Sequence, residues 1–248
     1  LFFTFNLQAQ NTIYVNINAT GANDGSSWAN AFTDFQAGVN AASTGDNVWV
    51  AKGTYQPSAG QSFSMKEGVK IYGGFAGRES GLDQRDLGSE NSSILKGNGN
   101  RVISNATNHL SAAAVLDGFT ITGGSGSAGG GIYNNQSSPT IVNCIFSGNS
   151  SNSGGAGMYN YQSSPVITNC VFSGNKSASF ASGVYNAESP LVTLINCVLS
   201  GNSSSSGGAL VTFNSSTTIT NSIIYGNNNG ILNLGGQNPT ITYSLVQG

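Results

Sequence analysis

Ionisable side chains are nearly missing from this chain. Eight Lys and Arg and ten Asp and Glu make up 7% of its 248 residues, where a soluble domain ordinarily carries about a quarter. With a net charge of −2, there is no cationic footprint for nucleic acid or for an anionic membrane surface. Beyond the first residues no apolar run approaches the ~20 residues of a membrane span. Histidine occurs once, at His109, so no Ser-His-Asp set and no zinc-ligand spacing can be assembled. A phosphate loop and a calcium-binding nonapeptide are also lacking. Gly123–Gly131 is glycine-rich but has no helix after it, so it reads as a turn. No cofactor and no metal site are expected.

What fills the chain instead is Gly, Ser, Thr and Asn in a fixed period. The second half holds Phe146-Ser-Gly-Asn149, Phe172-Ser-Gly-Asn175, Leu199-Ser-Gly-Asn202 and Ile224-Tyr-Gly-Asn227, with the closing Asn residues 26, 27 and 25 apart. Between them stand Gly131-Ile-Tyr-Asn134, Gly157-Met-Tyr-Asn160, Gly183-Val-Tyr-Asn186 and Ala209-Leu-Val211. A repeat of this size identifies a stacked solenoid. Each unit offers three short strand candidates. One is the Gly-apolar-Tyr-Asn segment, one follows Ser-Pro (Pro139, Pro165, Pro190) and one is Cys144-Ile-Phe146 with its equivalents. The fold class is therefore all-β: a right-handed parallel β-helix of three strands and about 26 residues per turn, with a helix-containing N-terminal cap. The cap helix is expected to start at Ser26-Ser27, from an apolar stripe of Trp28, Ala31, Phe32, Phe35, Val39 and Ala42.

Four segments follow from this reading. Residues 1–10, Leu1-Phe-Phe-Thr-Phe-Asn-Leu-Gln-Ala-Gln10, resemble the end of a secretory signal peptide; an ordinary first strand is the alternative. Residues 11–77 form the cap and first rungs. Residues 78–101 hold much of the charge without periodicity and read as an excursion between rungs. Residues 102–248 carry the regular repeats, and from residue 118 onward only Lys176 and Glu188 are charged.

Several columns recur at the repeat spacing. Asn143, Asn169, Asn196 and Asn221, and likewise Asn149, Asn175, Asn202 and Asn227, sit at turn positions. There Asn tolerates left-handed backbone and stacked amides can bond along the column. Cys144, Cys170 and Cys197 form a third column, continued by Ser222. They read as core-filling residues, because in-register strands offer poor disulfide geometry. Strict alternation would put Cys144 and Phe146 inside and leave Ile145, Val171, Val198 and Ile223 outside as an apolar stripe; a bend after the Asn would turn both sets inward. Thr140, Thr168, Thr193 and Thr220 suggest a threonine column without a second one beside it, a weak basis for ice or mineral binding.

The pairing of Phe-x-x-Asn with Gly-Gly-apolar-Tyr resembles the repeats of polymorphic outer membrane proteins. Ser27-Trp-Ala-Asn-Ala-Phe32, Val48-Trp-Val-Ala-Lys-Gly-Thr-Tyr55 and Gly68-Val-Lys-Ile-Tyr-Gly-Gly-Phe-Ala-Gly77 resemble the opening of secreted bacterial β-helix proteins of the pectin-lyase-like superfamily. The resemblance implies the fold, export to the cell surface and, in proteins of this look, a C-terminal sorting or membrane domain. It does not fix an activity. Residues 118–248 contain one carboxylate and one Lys, so no acid–base pair can be built there. A polysaccharide lyase or hydrolase would have to draw on Arg78, Glu79, Asp83, Arg85, Asp86 and Asp117. The favoured expectation is an exported, non-catalytic structural or adhesive module. It would display uncharged Ser, Thr and Asn ladders to a surface, a glycan or further copies of itself, filaments included.

Overall fold

The structure is a computed structural model that describes residues 10–247. The signal-peptide reading of residues 1–10 falls outside them except for Gln10. Among the described residues, twenty-seven short strands assemble into four sheets of nine, eight, six and four strands. Consecutive members of one sheet lie one turn of the coil apart, and in the regular part that turn is one repeat, so Ile141 pairs with Ile167, Ile167 with Leu194 and Leu194 with Ile219, all parallel. The nine-stranded sheet, from Thr12–Val15 to Thr240–Thr242, spans eight turns of the solenoid.

Three of the sheets are those the repeats imply. The first contains the segments after Ser-Pro, such as Thr140–Val142 and Val166–Thr168. The second contains Ile145–Ser147 and Val171–Ser173, and the third Ile132–Asn135 and Met158–Tyr161. The fourth ladder was not expected. It joins Ser125–Ala128, Ser150–Gly154, Lys176–Ser177 and Ser203–Ser204. Ser and Gly are poor strand formers, so these segments read as turns. Here backbone pairing between rungs overrides that propensity, with Lys176 N–H donating to Asn149 O at 2.9 Å and Ser203 N–H to Asn175 O at 3.0 Å.

Alternation within each strand fills the interior. Ile121, Phe146, Phe172, Leu199 and Ile224 form one buried column, and the Phe146 and Phe172 rings stack at 4.4 Å with 5° between their planes. Leu116, Ile141, Ile167, Leu194 and Ile219 form a second such column, and Ile132, Met158, Val184 and Leu210 a third. Each buried side chain of this size contributes roughly 1.5–3 kcal/mol.

The cap helix is shorter than expected and covers Phe35–Ala41. Asp34 caps it, Oδ1 accepting from Ala37 N–H at 2.7 Å, and Lys66 Nζ donates to the carbonyls of Asn40 and Ala42 at its other end. Trp28, Ala31 and Phe32 lie before it. The main chain of Phe32 is already committed to the first strand, donating to Tyr14 O and accepting from Asn16 N–H. A residue bonded in a sheet cannot also open a helix. Gly38 lets the helix approach closely, since a Cβ there would lie 2.3 Å from Val15 Cγ2.

The excursion is narrower than 78–101. Ser93–Lys96 is a full member of the second sheet, paired with Gly53–Tyr55 and Phe119–Thr122. Only the stretch from residue 76 to 92 leaves the coil, through two 3-10 turns at Leu82–Gln84 and Ser89–Asn91.

Candidate functional site

The two asparagine columns do different work. Asn143, Asn169, Asn196 and Asn221 occupy the left-handed corner between the first and second sheets, with φ of 51°, 55°, 54° and 51°. Their side chains line the outside. In the other column the left-handed residue is the preceding glycine, with φ of 63°, 62°, 63° and 71° at Gly148, Gly174, Gly201 and Gly226. Asn149, Asn175, Asn202 and Asn227 are therefore buried ladder residues rather than turn formers. Asn175 Oδ1 accepts both the main-chain N–H and the Nδ2 of Asn149 at 3.1 Å, and its Nδ2 donates to Phe146 O and to Asn202 Oδ1 at 2.9 Å.

A third ladder runs through Asn105, Asn134, Asn160 and Asn186, all fully buried. Each Nδ2 donates to the next Oδ1 at 2.9 Å, and the last donates to Thr217 Oγ1. Its signal was present in the repeated Tyr-Asn pair, 26 residues apart. Buried Ser137, Ser163, Ser189 and Ser215 form a serine column, each later hydroxyl accepting the main-chain N–H one rung earlier. His109 heads a further left-handed column that continues through Gln136, Gln162, Glu188 and Asn214. Its left-handed φ of 44° makes His109 the turn residue of its rung.

The outer asparagine ladder ends on a charge. Asn221 donates to Asn196, Asn196 to Asn169, Asn169 to Asn143, and Asn143 Nδ2 to Asp117 Oδ1 at 2.8 Å. A carboxylate can only accept, so Asp117 fixes the direction of every amide behind it. The inner ladder through Asn149 runs the opposite way, because main-chain N–H groups claim each Oδ1. Asp117 Oδ2 is held by Arg85 Nη2 at 2.7 Å, and the guanidinium lies 5.3 Å from the centre of the Tyr72 ring.

Arg85 and Asp117 are thus the two candidate site residues that the fold brings together. Glu79 is buried in a turn of its own. Its oxygens accept from the main-chain N–H groups of Ala76, Gly77 and Arg78 at 2.7–3.0 Å. Burial alone would raise its pKa, but these donors outweigh burial and hold the carboxyl below the usual range. Arg78, Asp83 and Asp86 are exposed on the excursion, where Asp86 Oδ1 accepts from Gly88 N–H. Leu87 of the excursion helps line a groove of about 170 Å³ that also includes Gly118, Asn143 and Ile145.

Cys144, Cys170 and Cys197 are free thiols in one fully buried column. Burial pushes Cys170 up and Cys197 up to about 11. Alternation holds strictly in this sheet: Cys144 and Phe146 point in, whereas Ile145 and Ile223 are 43% and 45% exposed and Val171 and Val198 are half-buried. The threonine column is rearranged. Thr140, Thr193, Thr218 and Thr240 align with Val166, and Thr168, Thr220 and Thr242 with Val142 and Ile195. Thr168 and Thr220 sit two residues further along their strands than Thr140 and Thr193, which splits the expected column in two. No helix among the described residues is long and apolar enough to cross a membrane.

Compared with curated proteins and with solved structures, the chain finds no significant match. A family model described as "Right handed beta helix region" matches residues 84–246, a stretch that includes all the regular repeats. The chain belongs to this right-handed β-helix family, and the pectin-lyase-like superfamily fits the architecture.

Proposed function

We propose that the chain is an exported structural and adhesive module, non-catalytic, whose outer columns bind a surface, a glycan or another copy of itself. The observation that carries this reading is the outer face of the first two sheets. There an amide ladder from Asn143 to Asn221 lies beside the stripe Ile145, Val171, Val198 and Ile223, repeated rung after rung without a charge. Such a face suits an extended partner rather than one small substrate, and an exposed apolar stripe of this kind marks a contact surface. The buried ladders support the module as a rigid support for that face.

The alternative, a polysaccharide lyase or hydrolase, would have to draw its acid and base from a set in which the two buried carboxylates are already engaged. Glu79 is taken up by three main-chain donors and Asp117 by Arg85 and Asn143. Sedimentation velocity over a wide concentration range, with retention on immobilised cell-surface polysaccharides, tests the proposal. Concentration-dependent association or retention that is lost in Ile145→Glu is the expected result. Monomers throughout, with no retention on any surface, would refute it. Release of unsaturated or reducing sugar ends would favour the enzyme instead.

A further inference from the structure

In four places an Asn or Asp is followed directly by Gly: Asp24-Gly25, Asn98-Gly99, Asp117-Gly118 and Asn229-Gly230. Such a pair can react with itself, because the glycine nitrogen can attack the carbonyl carbon of the preceding side chain. Glycine puts no side chain in the way. The ring closes only where that nitrogen is free and the peptide can turn toward the side chain. The fold treats the four pairs differently.

The two aspartate pairs are closed to this chemistry. Gly25 N–H donates to Asn30 O at 2.9 Å and Gly118 N–H to Val142 O at 3.1 Å. The Asp24 carboxylate accepts from Ser26 N–H, and that of Asp117 is held by Arg85 and Asn143. At Asn229-Gly230 the glycine N–H has no hydrogen-bond partner among the described residues. Gly230 is buried, however, and a Cβ there would lie 2.0 Å from Gln247 O. Asn229 Nδ2 donates to Gly207 O, and Asn229 O accepts from Ala209 N–H. Packing between rungs keeps that peptide from turning.

Asn98-Gly99 is open. Gly99 is exposed and left-handed, with φ of 83°, and only Gly60 N, at 3.7 Å, lies within 4 Å of where a Cβ would sit. Its N–H has no hydrogen-bond partner among the described residues. The carbonyl of the same peptide unit, Asn98 O, accepts from Gly60 N–H at 2.7 Å. That donor stabilises the negative charge which the peptide unit carries once the Gly99 nitrogen loses its proton. Asn98 Nδ2, the group that must depart, donates to Pro57 O at 3.1 Å.

We propose that Asn98 is a self-modification site, converting in the folded chain to aspartate and isoaspartate. Hydroxide removes the Gly99 amide proton, the nitrogen bonds to Asn98 Cγ, and the Cγ–Nδ2 bond breaks to release ammonia. Water then opens the succinimide ring at either of its carbonyls. Water and hydroxide are the only co-reactants, and nothing is oxidised or reduced. The product has lost its amide donor. A carboxylate only accepts, so position 98 then faces Pro57 O with no proton between them. Asn98 and Asn100 are two of the side chains that fasten the turn at residues 57–60, Asn100 Nδ2 donating to Gly60 O at 3.0 Å. Conversion therefore loosens this turn, beside the buried Phe63, and adds a negative charge to a chain that has few. This chemistry does not depend on the adhesive reading.

Incubation of the full chain in mildly alkaline buffer, followed by tryptic digestion and mass spectrometry, tests it. The peptide of residues 97–101 should gain a single mass unit, placed at residue 98 by fragmentation, and split into two isomers. It should do so about tenfold faster than the peptide containing Asn229, the factor that one hydrogen bond to the attacking peptide unit supplies. In denaturant, where the fold no longer distinguishes the two pairs, their rates should be similar. Asn98→Gln would require a larger ring and should leave residues 97–101 unconverted. Limited proteolysis should cut the converted chain faster within residues 57–61 than the fresh chain. An Asn98 that stays intact in the folded chain, or an Asn229 that converts as fast beside it, would overturn the assignment. Equal cleavage of converted and fresh chains would overturn the loosening of the turn.

Discussion

Asn175 shows how much one residue can carry in this architecture. It is fully buried, and its amide accepts two hydrogen bonds and donates two. Asn175→Ala would leave several groups buried and unpaired, so a loss of about 3–5 kcal/mol is expected in denaturant unfolding. Asn169, on the outer ladder, is solvated and left-handed; Asn169→Gly keeps the backbone conformation and should cost less than about 1 kcal/mol. Equal losses at the two positions would mean that burial does not distinguish the ladders. The thiol column gives a pH dependence. Burial raises Cys197 from 9.0 to about 11, and burial likewise raises Tyr159 from 10.0 to about 12. Groups whose protons are held more tightly in the folded chain stabilise it below their unfolded values and lose that contribution as pH rises through the folded ones. Stability should therefore be level to about pH 9 and fall by roughly 1–3 kcal/mol towards pH 11, measured as unfolding midpoints across that range.

At the scale of elements, the excursion from residue 76 to 92 is tied to the coil by few contacts. Asp86 N–H donates to Gly74 O at 2.8 Å, and Arg85 reaches Asp117. Arg85→Ala would leave Asp117 buried with only the Asn143 amide as a side-chain partner, at a cost of about 1–3 kcal/mol. Its clearer signature is local. Limited proteolysis should cut within residues 76–92 faster in the variant than in the parent, while the repeats stay resistant. Unchanged cleavage would mean that the ion pair does not hold the segment down. The same pair terminates the outer amide ladder, so Arg85 also stabilises the charge that orients Asn143 through Asn221.

The whole molecule is a stack in which each rung meets only its neighbours, so its stability is close to a sum of rung and interface contributions. Joining Gly157 directly to Val184, by deleting residues 158–183, removes one complete turn. Every column then closes over the gap: Ile132 meets Val184, and Asn149 meets Asn202, through the registers now made with Met158 and Asn175. The shortened chain should fold with the same far-UV circular dichroism shape and a single cooperative transition. Loss of β signal on this deletion would contradict rung-by-rung independence.

The period, the parallel coil and the three main strands per turn were determined by the sequence alone, because one spacing repeats through Phe146, Phe172, Leu199 and Ile224 and each turn must bury the same residues. The column positions of Cys144, Cys170 and Cys197 and of both Asn sets were legible for the same reason. Only the tertiary structure decided which columns face in. Asn143 and Asn149 sit six residues apart with like neighbours, and the assignment depends on whether the Asn or the preceding Gly takes the left-handed corner. The Ser-rich fourth ladder was hidden because its strands exist through pairing with adjacent rungs rather than through their own propensity. The meeting of Arg85 with Asp117, 32 residues apart, depends on how the non-repeating excursion folds back on the coil, which no periodicity encodes.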